Sequence, residues 1–246
     1  AGDIDAGYVG VVPALMAKAK GLDLVIVASA NLEGSAIVAK PEIAAVPELH
    51  GRVVGTPGIG TIQDSLLYMV EEKFNITYGE VKRYMGPAGL PLDFEKGMID
   101  AFIAWEPFCA EVVVKGMGHV IHTSHDILPN HQCCVFYVSG KLFKEQPDLA
   151  KKLIKAHVKA MNFAKNNSDD AMKFFADMTG KSMEVVKESW KRMVWDYNVN
   201  VTSMKIFVDY LTDQGKINPK DIPNVDEFLN SLVDQELLKQ VAEAAG

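Results

Sequence analysis

The chain has 246 residues, of which 48% are hydrophobic and 23% charged, so it is long enough to bury the core of one large domain or of two smaller lobes. This composition excludes a disordered chain, a collagen-like repeat and a small disulfide-held protein. With 25 Lys and Arg against 32 Asp and Glu, the formal net charge is −7 and no basic run offers a track for phosphates, so we expect no nucleic-acid partner.

The chain repeats part of its own sequence at an offset of 95 residues. Residues 2–29 and 97–124 share nine identities in 28 aligned positions, where chance gives about two. Each copy has the pattern of a short apolar strand, a helix opened by proline, a glycine turn and a second strand. This alternation predicts βαβ crossovers and a mostly parallel sheet, flanked by helices, in each copy.

The segment before the second copy predicts what is absent before the first. It reads as strand, helix, strand and helix between Gly51 and Lys96, whereas nothing precedes the first copy. We therefore expect that two complete lobes would need a strand–helix–strand–helix segment upstream of Ala1, which this chain lacks. Since helices dominate after the second copy, we expect residues 1–48 and 128–246 to form one lobe and residues 49–127 the other.

A glycine-rich turn over residues 55–61 is the best local candidate for ligand contact. A turn that opens a helix presents backbone N–H groups and the positive end of the helix dipole to an anion or a carbonyl oxygen. The turn lacks the lysine of a Walker loop, and Gln63 replaces the third glycine of a dinucleotide fingerprint. We expect a small ligand at this turn, and an ordinary βα turn is the alternative.

The strand-to-helix turns of the two copies are the second candidate. Trp105 and Glu106 follow the strand of the second copy, and Tyr8 and Val9 occupy the matching place in the first. In open α/β sheets, ligands collect at the carboxyl ends of strands, where an aromatic ring suits a planar or apolar ligand part. The alternative is that Trp105 fills the core of a lobe.

The histidines and cysteines do not predict a metal site or a catalytic residue. His119, His122 and His125 lie in a stretch that favours a strand, which would put His122 on the opposite side from the other two. Cys133 and Cys134 are typical of buried thiols on an apolar strand. No nucleophile elbow or zinc-protease motif occurs, which speaks against a hydrolytic enzyme.

Several motifs together resemble the nitrate, sulfonate and taurine type of ABC-transporter substrate-binding protein. Each motif is short, and their order and spacing over nearly the whole chain carry the resemblance. They are Gly-Asp-Ile-Asp-Ala-Gly-Tyr-Val-Gly (2–10), Gly-Ser-Ala-Ile-Val-Ala (34–39), Leu-His-Gly-Arg-Val-Val-Gly (49–55), Gly-Met-Ile-Asp-Ala-Phe (97–102) leading to Trp-Glu-Pro (105–107), and the segment 143–149.

The resemblance implies the type II periplasmic-binding-protein fold, in which two α/β lobes close about a hinge over a ligand. It implies an extracytoplasmic protein, periplasmic or anchored at the cell surface, that passes a small solute to a membrane permease and its ATPase; no signal segment is visible in this chain. It implies no cofactor and no covalent chemistry. Carried over by motif, the cleft residues are Tyr8, Val9, Gly34, Ser35, Gly58, Gly60, Thr61, Trp105 and Glu106.

The identity of the solute stays open in the sequence. No Arg or Lys occurs in these turns, and we expect Glu106 to repel an anion or to pair with an amine. A sulfonate, nitrate or taurine-like anion or zwitterion and a neutral heterocycle therefore all remain candidates.

Two alternative functions belong to other classes. One is an iron-dependent thiamin-pyrimidine synthase, which the chain also resembles, although only Cys133 and Cys134 match that family's cysteine-rich stretch. The other is a ligand-sensing module that never meets a transporter.

Overall fold

A computed structural model describes residues 3–243 of the chain; Gly2, which opens the repeat motif, lies outside them. The described residues divide into two compact units. The first unit contains residues 3–32, 130–168 and 194–243, and the second contains residues 33–129 and 169–193.

The first unit is built on a four-stranded sheet of order β1-β8-β2-β9. Helix α7 packs on this sheet through a core that includes Val27, Phe136, Ile154 and Val158. Its elements are β1 (Ala6–Gly10), α1 (Val11–Ala19), β2 (Leu24–Glu33), whose last residue belongs to the second unit, β8 (Gln132–Ser139), α6 (Gly140–Glu145), α7 (Pro147–Asn166), β9 (Met193–Val194), whose first residue belongs to the second unit, α10 (Val201–Asp213), α11 (Val225–Leu232) and α12 (Glu236–Glu243).

The second unit is built on a five-stranded sheet of order β5-β4-β6-β3-β7. Its core includes Ala36, Leu90, Phe94, Phe102 and Val112. Its elements are β3 (Ser35–Ala39), β4 (Val53–Thr56), α2 (Ile62–Phe74), β5 (Glu80–Arg83), α3 (Leu90–Glu95), β6 (Ala101–Trp105), α4 (Phe108–Val114), β7 (His119–Thr123), α5 (Ser124–Ile127), α8 (Ser168–Thr179), whose first residue belongs to the first unit, and α9 (Met183–Trp190).

The two copies of the sequence repeat form the same strand–helix–strand unit. Strands β1 and β6 begin and end at the same repeat positions, and β2 and β7 begin at the same position. Helices α1 and α4 both end in a lysine cap followed by a glycine with positive φ, Gly21 at 85° and Gly116 at 67°. The repeat is therefore structural as well as sequential.

The α/β class with two helix-flanked sheets is as predicted, but the sheets are mixed rather than mostly parallel. Strand β8 runs antiparallel between β1 and β2, and β3 runs antiparallel between β6 and β7. Strands β4, β5 and β6 pair in parallel. The crossover rule correctly gives the direction of strands joined by a helix, whereas β3 and β8 enter their sheets without such a crossover.

The compact units differ from the predicted lobes at residues 33–48, 128–129 and 169–193. Because β3 lies between two strands of the second sheet, residues 33–48 belong with that sheet. Helix α9 packs on α4 and is held there by ion pairs of Lys181 with Glu111 and of Arg192 with Glu106. The local pattern of strands and helices in the sequence does not predict that these segments pack in the second unit.

Within residues 3–243, no helix combines the length and the apolar character that crossing a membrane requires.

Replacing Phe102 tests the core that supports the second sheet. The ring is fully buried and meets Phe94 edge to face at 5.4 Å between centroids. We expect Phe102→Ala to lower the free energy of unfolding by about 3–5 kcal/mol in urea denaturation, because a cavity replaces the ring. Phe174→Ala is the control, since that ring is 62% exposed; equal losses in the two variants would contradict this core.

Candidate functional site

One edge of the second sheet collects residues that are distant in sequence. Because β3 is antiparallel to its neighbours, Ser35 pairs with Trp105 at the end of β6, and Ala36 pairs with Thr123 at the end of β7. Strand β4 is parallel to β6 and ends at Thr56. Ser35, Thr56, Trp105 and Thr123 thus define what we call the carboxyl edge, the place where open α/β sheets bind ligands.

The glycine turn leads from β4 at this edge into α2. Gly58 has φ 132°, and a Cβ there would lie 2.4 Å from the carbonyl oxygen of Tyr84, so only glycine fits. Thr61 caps α2, because its Oγ1 accepts from the Asp64 amide at 3.2 Å and donates to the Gly58 carbonyl at 2.8 Å. The Thr61 hydroxyl thus maintains the turn, and ligand contact by Gly58, Gly60 and Thr61 remains a prediction.

A buried polar network links the start of β3 to α2 and α5. Gln63 Nε2 donates to Ser35 Oγ at 2.8 Å, and the Ser35 amide donates to Ser124 Oγ at 3.2 Å. The carbonyl of Gly34, whose φ is 89°, accepts from the Glu106 amide at 3.0 Å. The structure therefore brings the predicted residues Gly34, Ser35 and Glu106 together.

Glu106 forms a buried ion pair with Arg192. Arg192 Nε donates to Glu106 Oε1, the Ala110 amide donates to Oε2 at 3.0 Å, and Arg192 Nη1 donates to Glu188 at 2.9 Å. Burial raises the pKa of Glu106, and the guanidinium opposes that rise. Arg192 thus pairs with the carboxylate that we expect from the sequence to repel an anion or to pair with an amine, and ligand contact by Glu106 stays a prediction.

A cavity of about 230 Å³ opens beside this ion pair, wholly within the second unit. Three of its lining side chains are basic and one is acidic. The lining residues are Glu33, Ser35, Thr123, Ser124, His125, Lys191 and Arg192.

The acidic residue of the cavity, Glu33, is bonded to one of the basic ones. His125 Nδ1 lies 2.6 Å from Glu33 Oε1. The hydrogen bond and the negative charge of Glu33 raise the pKa of His125 above its usual value.

Trp105 ends β6 at the carboxyl edge and is half-buried. Its ring meets Phe108 edge to face at 6.3 Å between centroids. Because part of the ring is accessible, a ligand contact stays the prediction here.

Tyr8 and Val9 belong to the first unit rather than to the carboxyl edge. Tyr8 lies in the middle of β1, stacks on Phe136 at 4.9 Å between centroids and is 60% exposed. Its hydroxyl lies 3.1 Å from His157 Nδ1, while His157 Nε2 lies 2.8 Å from the Ser29 carbonyl oxygen. A neutral ring that donates from Nε2 and accepts at Nδ1 satisfies both contacts, and burial lowers the pKa of His157 accordingly. Val9 is half-buried in the same strand, and both residues stay predicted ligand contacts.

The described residues show no cluster of metal ligands. His119 and His122 lie on β7 and His125 on α5. Cys133 and Cys134 are free thiols on β8 with their Sγ atoms 3.9 Å apart. Between residues 3 and 243, no three His, Cys, Asp or Glu side chains are grouped so that they could hold a metal ion.

The first unit has a larger cavity, of about 540 Å³, at the amino ends of β1 and β2. Of its three charged lining residues, Asp3, Asp23 and Lys141, Asp23 is paired with Lys144 at 3.1 Å. Because ligands favour the opposite, carboxyl ends of strands, the smaller cavity in the second unit is the stronger candidate. The larger cavity is lined by Asp3, Ile4, Leu22, Asp23, Leu24, Tyr137, Ser139 and Lys141.

Comparison with known proteins assigns the chain to a family. The model of the NMT1-like family matches residues 1–179, well over half of the chain. The chain belongs to the NMT1-like family. An aliphatic sulfonates-binding protein of Escherichia coli strain K12 is 25% identical over 150 residues, which are 59% of this chain and 46% of that protein. The chain therefore spans less than half the length of this curated relative.

Solved structures of similar proteins share the fold. The ligand-binding component of an ABC-type import system from Staphylococcus aureus, solved with zinc bound, matches with a TM-score of 0.84 at 21% identity, covering 98% of this chain and 81% of that one. The periplasmic nitrate-binding protein NrtA from Synechocystis PCC 6803 matches with a TM-score of 0.83 at 15% identity, covering 99% of this chain and 74% of that one. These matches confirm the two-sheet α/β architecture of this NMT1-like chain.

Sequence reasoning missed several side chains around the cavity, above all Arg192. Arg192 lies in no recognisable motif. It lies beside the cavity because α9 packs on α4, and no local sequence pattern predicts this packing. In the sequence, Gln63 stands out only because it occupies the place of the third glycine of a dinucleotide fingerprint. Ser124 did carry a signal, since it is identical to Ser29 at the repeat offset.

The Glu33–His125 contact predicts an elevated histidine pKa. We expect the pKa of His125, followed by NMR of its Cε1–H, to lie above 6.5 and to fall in Glu33→Gln. Because the folded pKa is raised, the stabilisation from this contact is present below the unfolded pKa and is lost as pH rises through the folded pKa. His122 is the control, because burial lowers its pKa, and it should not respond to the substitution. An unchanged His125 titration in Glu33→Gln would contradict the contact.

Proposed function

We propose that this chain is the solute-binding component of an ABC importer and that it captures a small anionic solute of the sulfonate, nitrate or taurine kind. The observation that carries the proposal is the small cavity at the carboxyl edge, whose lining includes three basic side chains, two serines and one acidic residue. Membership of the NMT1-like family and the binding functions of the similar proteins support it.

The charges around the cavity favour an anion over the other ligand classes left open by the sequence. Glu106 is occupied by Arg192, and Glu33 by His125. Lys191 is 68% exposed and Arg192 is almost fully buried, and both cations line the cavity. An anionic group supplies both negative charge and acceptor oxygens to the buried Arg192 Nη2, whereas a neutral heterocycle supplies acceptors without the charge.

Capture in this proposal needs no covalent chemistry. The ligand contacts are those of the carboxyl edge and its turns, namely Gly34, Ser35, Gly58, Gly60, Thr61 and Trp105, with Glu106 acting through Arg192. Tyr8 and Val9 of the first unit stay predicted ligand contacts. The partners are a membrane permease and its ATPase, and the location is extracytoplasmic.

Replacing Trp105 tests the function and its site together. We expect ethanesulfonate, taurine or nitrate to give saturable heat in isothermal titration calorimetry. Trp105→Ala should weaken binding by about 1–3 kcal/mol through loss of an aromatic contact. Phe174→Ala, an exposed aromatic of the same unit, serves as the matched control and should bind like the wild type. Equal affinity in Trp105→Ala would remove this residue from the site, and the absence of heat with every probe would refute the proposed function.

A further inference from the structure

The guanidinium of Arg192 has a buried donor that the fold does not use. Its Nε and Nη1 donate to Glu106 and Glu188, whereas Nη2 is buried and has no hydrogen-bond partner among residues 3–243. The side chain is only 10% exposed. Because buried polar groups are normally paired, an orphaned guanidinium nitrogen in a residue that lines a cavity indicates a ligand that accepts hydrogen bonds.

Two serine hydroxyls lining the same cavity also have a proton to give. Ser35 Oγ accepts from Gln63, and Ser124 Oγ accepts from the Ser35 amide, so each hydroxyl keeps its own proton for an acceptor. Thr123 differs, because its Oγ1 donates to Asp126 Oδ2 at 2.6 Å and accepts from the Asp126 amide. The unused donors in the cavity lining thus belong to Arg192, Ser35 and Ser124.

The carboxylates that hold Arg192 lie outside the cavity lining. Neither Glu106 nor Glu188 lines it, whereas Arg192 and Lys191, which they bind, both do. The remaining carboxylate, Glu33, is engaged by His125 at 2.6 Å. The cavity therefore presents Arg192 and Lys191, while the carboxylates that pair with these two cations lie outside its lining.

We propose that Arg192 anchors the anionic group of the solute through Nη2, and that Ser35 and Ser124 donate to other oxygens of the same group. The volume of about 230 Å³ suits a small group that carries two or more acceptor oxygens on one atom. This inference rests on the proposed function and deepens it by assigning the residues that select the anion.

Calorimetric titration with sodium ethanesulfonate tests the anchor. Arg192→Gln alone would leave the buried Glu106 carboxylate without its counter-ion, so the test uses the double variant Glu106→Gln/Arg192→Gln, which removes both charges together. We expect its dissociation constant to rise at least tenfold. Arg192→Lys keeps the charge without the planar fork and should give an intermediate value.

Lys173→Gln is the matched control, because it removes a 66% exposed cation of the same unit that does not line the cavity. We expect its dissociation constant to stay within about threefold of the wild type. If the double variant does not fold, as judged by circular dichroism, Ser35→Ala and Ser124→Ala decide the question. Weaker ethanesulfonate binding in both would support the donor set, and wild-type affinity in both would overturn it.

The outcomes separate the anchor from the function. Wild-type protein that binds neither ethanesulfonate nor nitrate would refute the proposed function and the anchor with it. Wild-type protein that binds ethanesulfonate, with equal affinity in the folded double variant, would overturn the Arg192 anchor and leave the binding function standing.

Discussion

The antiparallel insertion of β3 between β6 and β7 is the constraint on which the candidate site depends. This pairing carries the start of β3 to the carboxyl ends of the strands on either side. Without it, Ser35 would not lie beside Trp105 or receive the Gln63 amide. The first unit has the same arrangement, with β8 between β1 and β2, and there buried Gln132 donates to Ser29. The two units thus share this strand arrangement, and each contains a serine that accepts from a buried glutamine, at positions that the repeat does not relate.

The positive charge of Arg192 lies at the carboxyl edge because α9 packs on α4. A protein with a net charge of −7 needs local basic groups to hold an anion, and the turns supply none. Arg192 brings a cation from a distant part of the chain, and hydrogen bonds to Glu106 and Glu188 fix the orientation of its guanidinium. Three of the five guanidinium N–H groups are not used in these two bonds. A buried pair of this kind contributes little net stability, so its value lies in placing a guanidinium at one position.

Local patterns predicted most of the elements, while long-range pairing escaped them. Proline and glycine signals gave α1, α4 and their exits at Gly21 and Gly116, because capping depends on neighbouring residues. The sequence also predicts that Trp105 and the glycine turn lie at the carboxyl ends of strands, because a strand-to-helix turn is a local pattern as well. The directions of β3 and β8, and the places of Glu33 and Arg192, depend on contacts between segments far apart in sequence, which no local signal encodes.

The most direct test of this account is side-chain NMR of the three arginines, Arg52, Arg83 and Arg192, during titration with ethanesulfonate. The Nε–H signal of Arg192, assigned by its loss in Arg192→Lys, should shift saturably with the calorimetric dissociation constant, while the signals of Arg52 and Arg83 stay in place. A stationary Arg192 signal during calorimetrically detected binding would contradict the account and would place the solute away from the carboxyl edge.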